Sequence, residues 1–552
     1  GPENRKFARG MKKFVKIVAY CLLGMVGLLL TAVGTGYYLY RTAELTPPEA
    51  TRDFSDSVVR RAADGSRSFG PNRLRHSENG FWELRLEGDA EQRGAAFGAL
   101  ADSLLYNQEA VFVDQIRAIV PNDRYLGFLR YLTIIFNRRL ARHIPGEYCT
   151  EIAAMSRYCT HDFDFIGEPY LRQLNYHAAH DIGHAMQSYM LVGCTAFGAW
   201  GDAAADGMIV GRNFDFYVGD EFARNRLLTF CIPDTGYRFV SIGWPGMVGV
   251  LSGMNETGLT VTLNAARGPV PLSSATPVSI LARKILQYAA TIDEACAIAS
   301  QYRTFVSESF LIGSARDARC AVIEKTPEKQ ALYTVPGQTI GCTNHFQSEA
   351  FADDMYNNEN IALSDSKPRA DRLAELLEHS VPLTVEKAVG ILRDRHSPGG
   401  GELGMDNPLA INQQIAHHSV VFQPRQLRMW VSTGYWGMGE WVCYDIGRLL
   451  RGEQPFEGEL YERGRTLPAD TLFVRESLPE LLRFRRLKHR LSRETVDSLA
   501  ASNPQNWETY ALIGRYRESC GEREQAREWF RRALARPIPE GERITLENKL
   551  KE

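Results

Sequence analysis

The sequence predicts an α+β protein with antiparallel sheets behind a single N-terminal transmembrane helix. Short β-like runs are grouped at residues 208–263, 310–335 and 419–431, and glycine-rich turns separate many of them. Helical patterns fall between these blocks, which favours antiparallel meanders over alternating βαβ units. Residues 17–40 carry no charged side chain, and this is the only hydrophobic run in the sequence that is long enough to cross a bilayer.

The N-terminal pattern predicts an anchor over residues 14–41. Lys12, Lys13 and Lys16 lie on its N-terminal side, so the positive-inside rule keeps that end in the cytoplasm. We therefore expect a single-pass inner-membrane protein whose catalytic domain is periplasmic or otherwise extracytoplasmic. Residues 1–13 are then a cytoplasmic tail or a cloning remnant. A cleaved signal peptide is the alternative, although the apolar run exceeds the roughly 7–15 residues usual for one.

Length and charge limit the remaining organisation. At 552 residues the chain exceeds the roughly 250–300 at which single cores stop growing, and its net charge of -2 gives no reason to expect a nucleic-acid partner. We predict a helical segment at 42–193, a catalytic domain at 194–470 and a helical tail at 471–552. The tail contains one tetratricopeptide-like pattern, typical of a cap or a protein-docking element, and an ordinary helical hairpin is the simpler interpretation.

Cys194 is the most informative residue of the chain. It stands in Gly193-Cys194-Thr195-Ala196-Phe197, and cleavage after Gly193 would give one residue both a thiol and a free α-amine. An α-amine has an unperturbed pKa near 7.7–8.0, so it could take the thiol proton and later return it to a leaving group. The alternative for a single cysteine is a buried structural thiol.

Other polar residues suit acyl transfer at such a thiol. Arg212 could stabilise the thiolate, and Asp215 could hold the amine. A tetrahedral intermediate needs hydrogen-bond donors for its oxyanion, and segments containing Asn255 and Asn344 offer them. The basic run at 366–372 adds two cations able to orient a carboxylate or the substrate carbonyl, namely Arg369 and Arg372.

At these residues the chain resembles the choloylglycine hydrolase and penicillin V acylase group. It resembles more closely the acyl-coenzyme A:6-aminopenicillanate acyltransferase-like branch of the N-terminal nucleophile enzymes, from Gly88 to Gly434. The resemblance implies a four-layer αββα sandwich and no cofactor or metal. It also implies that Cys194 is the nucleophile after cleavage, and it implies these partners: Arg212, Asp215, Asn344, the Asn255 segment, and either Arg369 or Arg372. The long segment ahead of Cys194 departs from the simpler hydrolases and indicates internal self-cleavage.

A histidine cluster just upstream gives a rival hypothesis. His177, His180 and His184 would share one side of a helix, a spacing that can present imidazoles to a metal ion. The protein would then be a metal-dependent hydrolase. Gly183 weakens that helix, and Asp181 stands where the His-Glu-x-x-His pattern has Glu.

A thioester on Cys194 would have two fates, because water gives hydrolysis and an amine gives N-acyl transfer. The predicted anchor favours a membrane lipid as acyl donor and an amine acceptor, either an aminolipid or the N-terminus of a lipoprotein. We expect an apolar groove from the segment 125–137, whose simpler interpretation is a buried helix. The alternatives are an amidohydrolase of β-lactam, bile-salt or acyl-homoserine-lactone type, and a noncatalytic scaffold.

Overall fold

The computed structural model describes residues 2–43, 46–54, 56–120, 122–185, 191–456 and 458–551. For residues 2–15, 19, 119, 123, 179, 180, 182–185, 191 and 192 it describes the backbone alone. The described elements ahead of Cys194 are α1 (Pro2–Arg41), β1 (Arg60–Arg61), β2 (Arg67–Phe69), β3 (Asn72–His76), β4 (Trp82–Gly88), α2 (Ala90–Ile119), α3 (Asp123–Phe136), α4 (Gly146–Ser156), α5 (Pro169–Ala185) and β5 (Leu191–Val192).

Cys194 is followed by a block of strands and two helices: β6 (Thr195–Trp200), β7 (Met208–Tyr217), β8 (Leu227–Pro233), β9 (Phe239–Gly243), β10 (Ser252–Asn255), β11 (Leu259–Ala266), α6 (Val278–Tyr288) and α7 (Ile292–Ser300). A second alternation of strands and helices continues the chain: β12 (Ser307–Ser314), β13 (Arg319–Lys325), β14 (Gln330–Tyr333), β15 (Thr339–Cys342), α8 (Met355–Leu363), α9 (Ser366–Ser380), α10 (Val385–Leu392), β16 (Ala416–Gln423), β17 (Arg428–Ser432) and β18 (Trp441–Asp445). The C-terminal part is helical: α11 (Ile446–Arg451), α12 (Leu478–Lys488), α13 (Val496–Ser502), α14 (Trp507–Ser519), α15 (Arg523–Leu534) and α16 (Glu540–Lys551).

The described strands form two sheets. The large sheet has the order β1-β2-β3-β4-β8-β9-β10-β11-β12-β13-β14, and the small sheet has β15-β6-β7-β16-β17-β18 with β5 added to β7. Neighbouring strands are antiparallel except β4 and β8, which run parallel. The predicted antiparallel sheets are therefore present, with one parallel pair.

Alternating side chains of the strands place the sheets face to face. Along β8, Leu228 and Phe230 point into a core shared with the small sheet, whereas Leu227 and Cys231 point into a second core against α2, α4, α6 and α7. In the small sheet, Ala196 enters the shared core and the next residue packs under α9 and α10. Four layers result, in the order helices, sheet, sheet, helices.

The prediction that residues 42–193 are helical is wrong for the first part of that segment. Strands β1 to β4 lie there and extend the large sheet, with Leu84 opposite Thr229 of β8. Arginines alternate with the few apolar residues of β2 and β3, so these strands lack a clear hydrophobic pattern. Their pairing is completed only by a strand that follows Cys194.

Two peripheral predictions bear on location and partners. The described helix Lys16–Arg41 is long and apolar enough to cross a membrane, a test that a signal sequence near an N-terminus also passes. In the tail, α14 and α15 pack closely, because a Cβ on Gly514 would lie 2.4 Å from the ring of Phe530. These helices form a hairpin, and its assignment as a tetratricopeptide-like repeat stays a prediction.

Candidate active site

Cys194 lies between β5 and β6, where the small sheet faces the large one. Its thiol is buried, and its Sγ is 3.4 Å from Nη2 of Arg212. The antiparallel pairing of β6 with β7 sets this proximity, since Thr195 is opposite Asn213 and Ala196 is opposite Arg212. The N–H of Gly193 donates to the carbonyl of Asp215 at 3.2 Å, which holds the Gly193–Cys194 bond against the same strand.

Arg212 links the two sheets. One nitrogen of its guanidinium donates to the carbonyl of Leu251 and to Oγ of Ser252, both at 2.6 Å, and the other donates to the carbonyl of Leu263. The guanidinium also stacks on Phe214 at 4.4 Å. These contacts of both terminal nitrogens fix the cation beside the sulfur. It is therefore placed to stabilise a thiolate.

Burial and charge act in opposite directions on the nucleophile. Burial raises the pKa of the Cys194 thiol, and the nearby Arg212 guanidinium lowers it by a smaller amount. In the uncut chain the thiol is therefore held neutral. An additional base or cation would be needed to form the thiolate at neutral pH.

Asp215 is positioned to receive a cation. Its side chain is fully buried, and neither carboxylate oxygen has a hydrogen-bond partner within the described ranges. Burial raises its pKa to about 8, against the opposing effect of Arg369 and then Arg212. A buried carboxylate without partners is costly, so a donor or cation that reached Asp215 would be stabilised by it.

Arg369, in the first turn of α9, is the arginine of the basic run that reaches the site. Its Nη1 donates to the carbonyl of Cys194 at 2.8 Å and to Oγ1 of Thr195 at 3.0 Å. Its Nη2 donates to Oδ1 of Asn344 at 2.8 Å and to Asp365 at 2.9 Å. Arg369 therefore fixes both the nucleophile's backbone and the Asn344 amide.

Arg372 lies outside this group. Its guanidinium pairs with Asp394 at 2.9 Å and with Glu375 at 3.0 Å. The two arginines are three residues apart on α9, and only Arg369 contacts the backbone of Cys194. Of the two arginines that the sequence left open, Arg369 is the one that lies beside Cys194.

Asn344 reaches the site and Asn255 does not. The Nδ2 of Asn344 donates to the carbonyl of Ala265 at 2.8 Å, next to the strand residues that hold Arg212. Asn255 lies in the β10–β11 turn, where its Nδ2 donates to Leu286 at 2.9 Å and Ala289 at 2.7 Å. Its Oδ1 accepts from the turn as well, in three hydrogen bonds from Thr257 and Leu259. Both ends of the Asn255 amide are thus used within the turn, and the side chain does not reach the group around Cys194 through any of these bonds.

Asn264 is a site residue that the sequence reasoning missed. It is buried on β11, directly between Leu263 and Ala265, whose carbonyls bind Arg212 and Asn344. Its Nδ2 donates to the carbonyl of Cys342 at 3.0 Å, and its Oδ1 has no partner among the residues the structure describes. It offers a second amide beside Asn344.

Gln413 was also missed. Its Nε2 donates to the carbonyl of Gly193 at 2.7 Å, so it holds the oxygen of the bond that would be cut. A Cβ at position 193 would lie 2.3 Å from this nitrogen, so any larger residue there would displace the Gln413 amide. No local motif signals Gln413, since its partner is 220 residues away in the sequence.

A buried polar chain extends behind Arg212. Ser252 Oγ accepts from Arg212 and also forms a hydrogen bond with Nε2 of His418, at 2.8 Å. Nδ1 of His418 forms a hydrogen bond with Nδ1 of His417 at 3.0 Å, so one of these two nitrogens carries the hydrogen. Burial lowers the pKa of both imidazoles, that of His417 to about 3, so the pair is neutral and fixes the position of Arg212.

The metal hypothesis finds no support at His177. Its Nδ1 bonds to the carbonyl of Gln173 at 2.8 Å, and its Nε2 accepts from the N–H of Val248 at 2.9 Å. Both ring nitrogens are thus used by backbone groups, which leaves none for a metal ion. The side chains of His180 and His184 lie outside the described residues.

Comparison with known proteins gives one family match. Residues 203–434 match the family model of acyl-coenzyme A:6-aminopenicillanic acid acyl-transferase, a range that includes Arg212, Asp215, Asn344 and Arg369 and begins after Cys194. An uncharacterized protein of Archaeoglobus fulgidus is 25% identical over 466 residues, which are 77% of this chain and 72% of that protein.

Two solved structures are similar over part of the chain. The Caenorhabditis elegans orthologue of N-acylethanolamine-hydrolyzing acid amidase has a TM-score of 0.31 at 17% identity, covering 42% of this chain and 93% of that one. A conjugated bile acid hydrolase from Clostridium perfringens has a TM-score of 0.32 at 13% identity, covering 48% and 95%. The family match confirms, over residues 203–434, the resemblance that was inferred from the sequence.

Proposed function

We propose that this protein is a self-activating cysteine acyltransferase that takes a fatty acyl group from a membrane lipid and delivers it to an amine. One observation carries the proposal. Arg212 lies 3.4 Å from the sulfur of Cys194, while Asp215, whose backbone holds the Gly193–Cys194 bond, keeps a buried carboxylate without a partner. A free α-ammonium on Cys194 would supply that partner.

Self-cleavage begins with attack of the Cys194 sulfur on the Gly193 carbonyl carbon. The N–H of Gln413 stabilises the oxyanion, the C–N bond breaks, and the thiol proton passes to the departing amine of Cys194. This leaves a Gly193 thioester on the sulfur and a free α-amine. Water then hydrolyses the thioester, which gives a Gly193 carboxylate and restores the thiol.

The strand just ahead of the bond is paired with the strand that carries Arg212 and Asp215. Backbone pairing holds β5 against β7, with Leu191 opposite Tyr217 and Val192 opposite Phe216. Cleavage would free the end of this strand, which ends at the nucleophile. Its departure would open the buried sulfur to substrate, so the uncut form is a closed precursor.

Acyl transfer in the cut form uses the new amine as the base. It takes the proton of the Cys194 thiol, and the thiolate, stabilised by Arg212, attacks the ester carbonyl of a lipid. The departing lipid alcohol takes the proton back, leaving an acyl thioester. An acceptor amine then attacks the thioester carbonyl, its proton passes to the α-amine and on to the sulfur, and the N-acyl product leaves. Asn264 and Asn344 are the amides beside this reacting centre.

The choice of a lipid donor rests on location. The helix Lys16–Arg41 would tether the domain to a bilayer, where acyl esters are concentrated and soluble acyl-coenzyme A is scarce. Hydrolysis of an N-acyl amide would use the same thioester. The test is to incubate purified protein with labelled phospholipid, with and without an amine such as phosphatidylethanolamine. Amine-dependent N-acyl product supports the proposal, free fatty acid regardless of amine indicates a hydrolase, and unchanged activity in Cys194→Ala contradicts both.

A further inference from the structure

Helix α3 exposes apolar side chains on the face that a soluble protein would make polar. The exposed fractions are 51% for Tyr125, 54% for Phe128, 49% for Tyr131 and 49% for Leu132. At 100° per residue these four positions fall within one arc of about 120°, so they form a continuous stripe. An aromatic and aliphatic stripe directed at solvent marks an interaction surface.

The opposite face holds α3 rigidly to the body. Leu126 and Ile134 are buried, and the side chain of Arg130 donates to the carbonyl of Asp164 at 3.1 Å. Asn122 caps the helix by accepting from the backbone N–H groups of its first turn, at 3.0 and 3.2 Å. The outward stripe is therefore a fixed surface of the folded domain.

The candidate membrane helix ends on this stripe. The ring of Tyr40, in the last turn of α1, packs edge-on against Tyr131 at 5.3 Å between centroids. Tyr40 lies where a spanning helix leaves the hydrocarbon, at the level at which aromatic side chains concentrate. The stripe is thus continuous with the point at which the chain enters the bilayer.

A neighbouring loop extends the apolar surface. Leu272 is 94% exposed, and its loop is fastened to the end of α3 because both the N–H and the hydroxyl of Ser274 donate to the carbonyl of Phe136 at 3.3 Å. The Phe136 ring also packs edge-on against Phe305 at 6.2 Å. An exposed aliphatic side chain on a loop tip beside a helix with exposed aromatic residues is typical of a surface that contacts the membrane interface.

We propose that the outer face of α3 and the tip of this loop rest in the headgroup region of a phospholipid bilayer, as a second membrane contact besides α1. Exposed arginines at both ends of the helix, Arg124 and Arg139, would lie among the lipid phosphates. The contact also orients the catalytic site toward the membrane. Leu263 and Ala265, which hold Arg212 and Asn344, lie in the half of β11 that ends beside Phe305, since Ala266 pairs with Ser307.

The opposite end of the same strands supplies a matched control position. Leu259 pairs with Ser314 there, about 23 Å from Ala266 at about 3.3 Å per residue, and a Cβ on Gly258 would lie 2.5 Å from the carbonyl of Pro424. Gln426, in the adjoining turn, is exposed. It should point away from the lipid.

The experiment places a photoreactive benzoylphenylalanine at position 128 of the full chain in phosphatidylethanolamine–phosphatidylglycerol vesicles. After irradiation, intact mass should show an adduct of one phospholipid, with the same result at position 272 and none at position 426. Position 272 keeps the test valid if the change at 128 impairs folding. The proposal is overturned if positions 128 and 272 give no lipid adduct, if they give a protein adduct instead, or if 426 reacts equally. The readout needs no catalysis, so it stands or fails separately from the proposed reaction.

Discussion

Replacing Gln413 by alanine removes the side chain that holds the oxygen of the bond proposed to be cut. The Nε2 of Gln413 lies 2.7 Å from the carbonyl oxygen of Gly193, a short hydrogen bond in a buried site. That oxygen gains negative charge when the sulfur of Cys194 attacks. Loss of one donor of this kind typically slows acyl transfer by about 10²–10³-fold, or about 2.7–4 kcal/mol.

We therefore expect self-cleavage to slow by that factor in Gln413→Ala. Gln413→Glu is more specific, because it keeps the shape of the side chain but replaces the donating N–H₂ with a carboxylate oxygen. It should be at least as slow. The assay follows intact mass after a pulse of synthesis and measures the loss of the full-length chain over time.

Gln414→Ala is the matched control, because the Gln414 side chain is also buried but hydrogen-bonds to Asp406 and Asn412 instead of to the carbonyl of Gly193. Its cleavage rate should stay within about threefold of the unmodified protein. Equal cleavage rates in Gln413→Glu and the unmodified chain would refute the role of Gln413. Equal slowing in Gln414→Ala would show that the loop as a whole, and not this donor, controls the rate.

Three further predictions concern the remaining polar residues. Arg369→Ala should lower the rate of acyl transfer at least about 100-fold, because the carbonyl of Cys194 loses the guanidinium that binds it. Arg372→Ala should leave the rate within about twofold in the same lipid assay. Equal losses in the two variants would contradict the assignment. The raised pKa of Asp215 means that the folded chain retains a proton that the unfolded chain loses above about pH 4, so uncut protein should lose stability as pH rises from 4 to 8 and change little above 8. In a Cys194→Ala background, Asp215→Asn should raise the melting temperature more at pH 8 than at pH 5, and an equal gain at both would be evidence against it. Asn255→Ala should lower the free energy of unfolding, measured by urea denaturation, by about 3 kcal/mol, because the turn loses its hydrogen bonds. Activity per folded molecule should not change. Lost activity without lost stability would show that Asn255 takes part in the reaction.

Short local patterns in the sequence pointed to candidate residues that the structure also places close together. Arg212 and Asp215 follow Cys194 on the next strand of a hairpin, so their spacing along the chain nearly fixes their spacing in space. Asn344 was recognised from a motif, and the basic run offered Arg369 and Arg372 without a choice between them; the structure joins Arg369 to Asn344 by one hydrogen bond of 2.8 Å.

The failures have a common physical cause, because they depend on partners distant in sequence. Asn255 belongs to a typical turn sequence in which Gly258 takes the positive φ. That sequence does not show that the amide of Asn255 spends its hydrogen bonds inside the fold. Asn264 lies in a run of buried strand residues that looks like plain core. Gln413 contacts Gly193 only after the chain has folded. Strand β4 likewise becomes part of the sheet only when it pairs with β8.

The most direct test of the central claim is the mass of the protein after brief exposure to phospholipid and denaturation. The account predicts two chains, one ending at Gly193 and one beginning at Cys194, with the mass of a single acyl group on the second chain. That added mass should disappear when an amine acceptor is supplied. An uncut chain that is fully active, or an acyl group attached to any residue other than Cys194, would contradict the account.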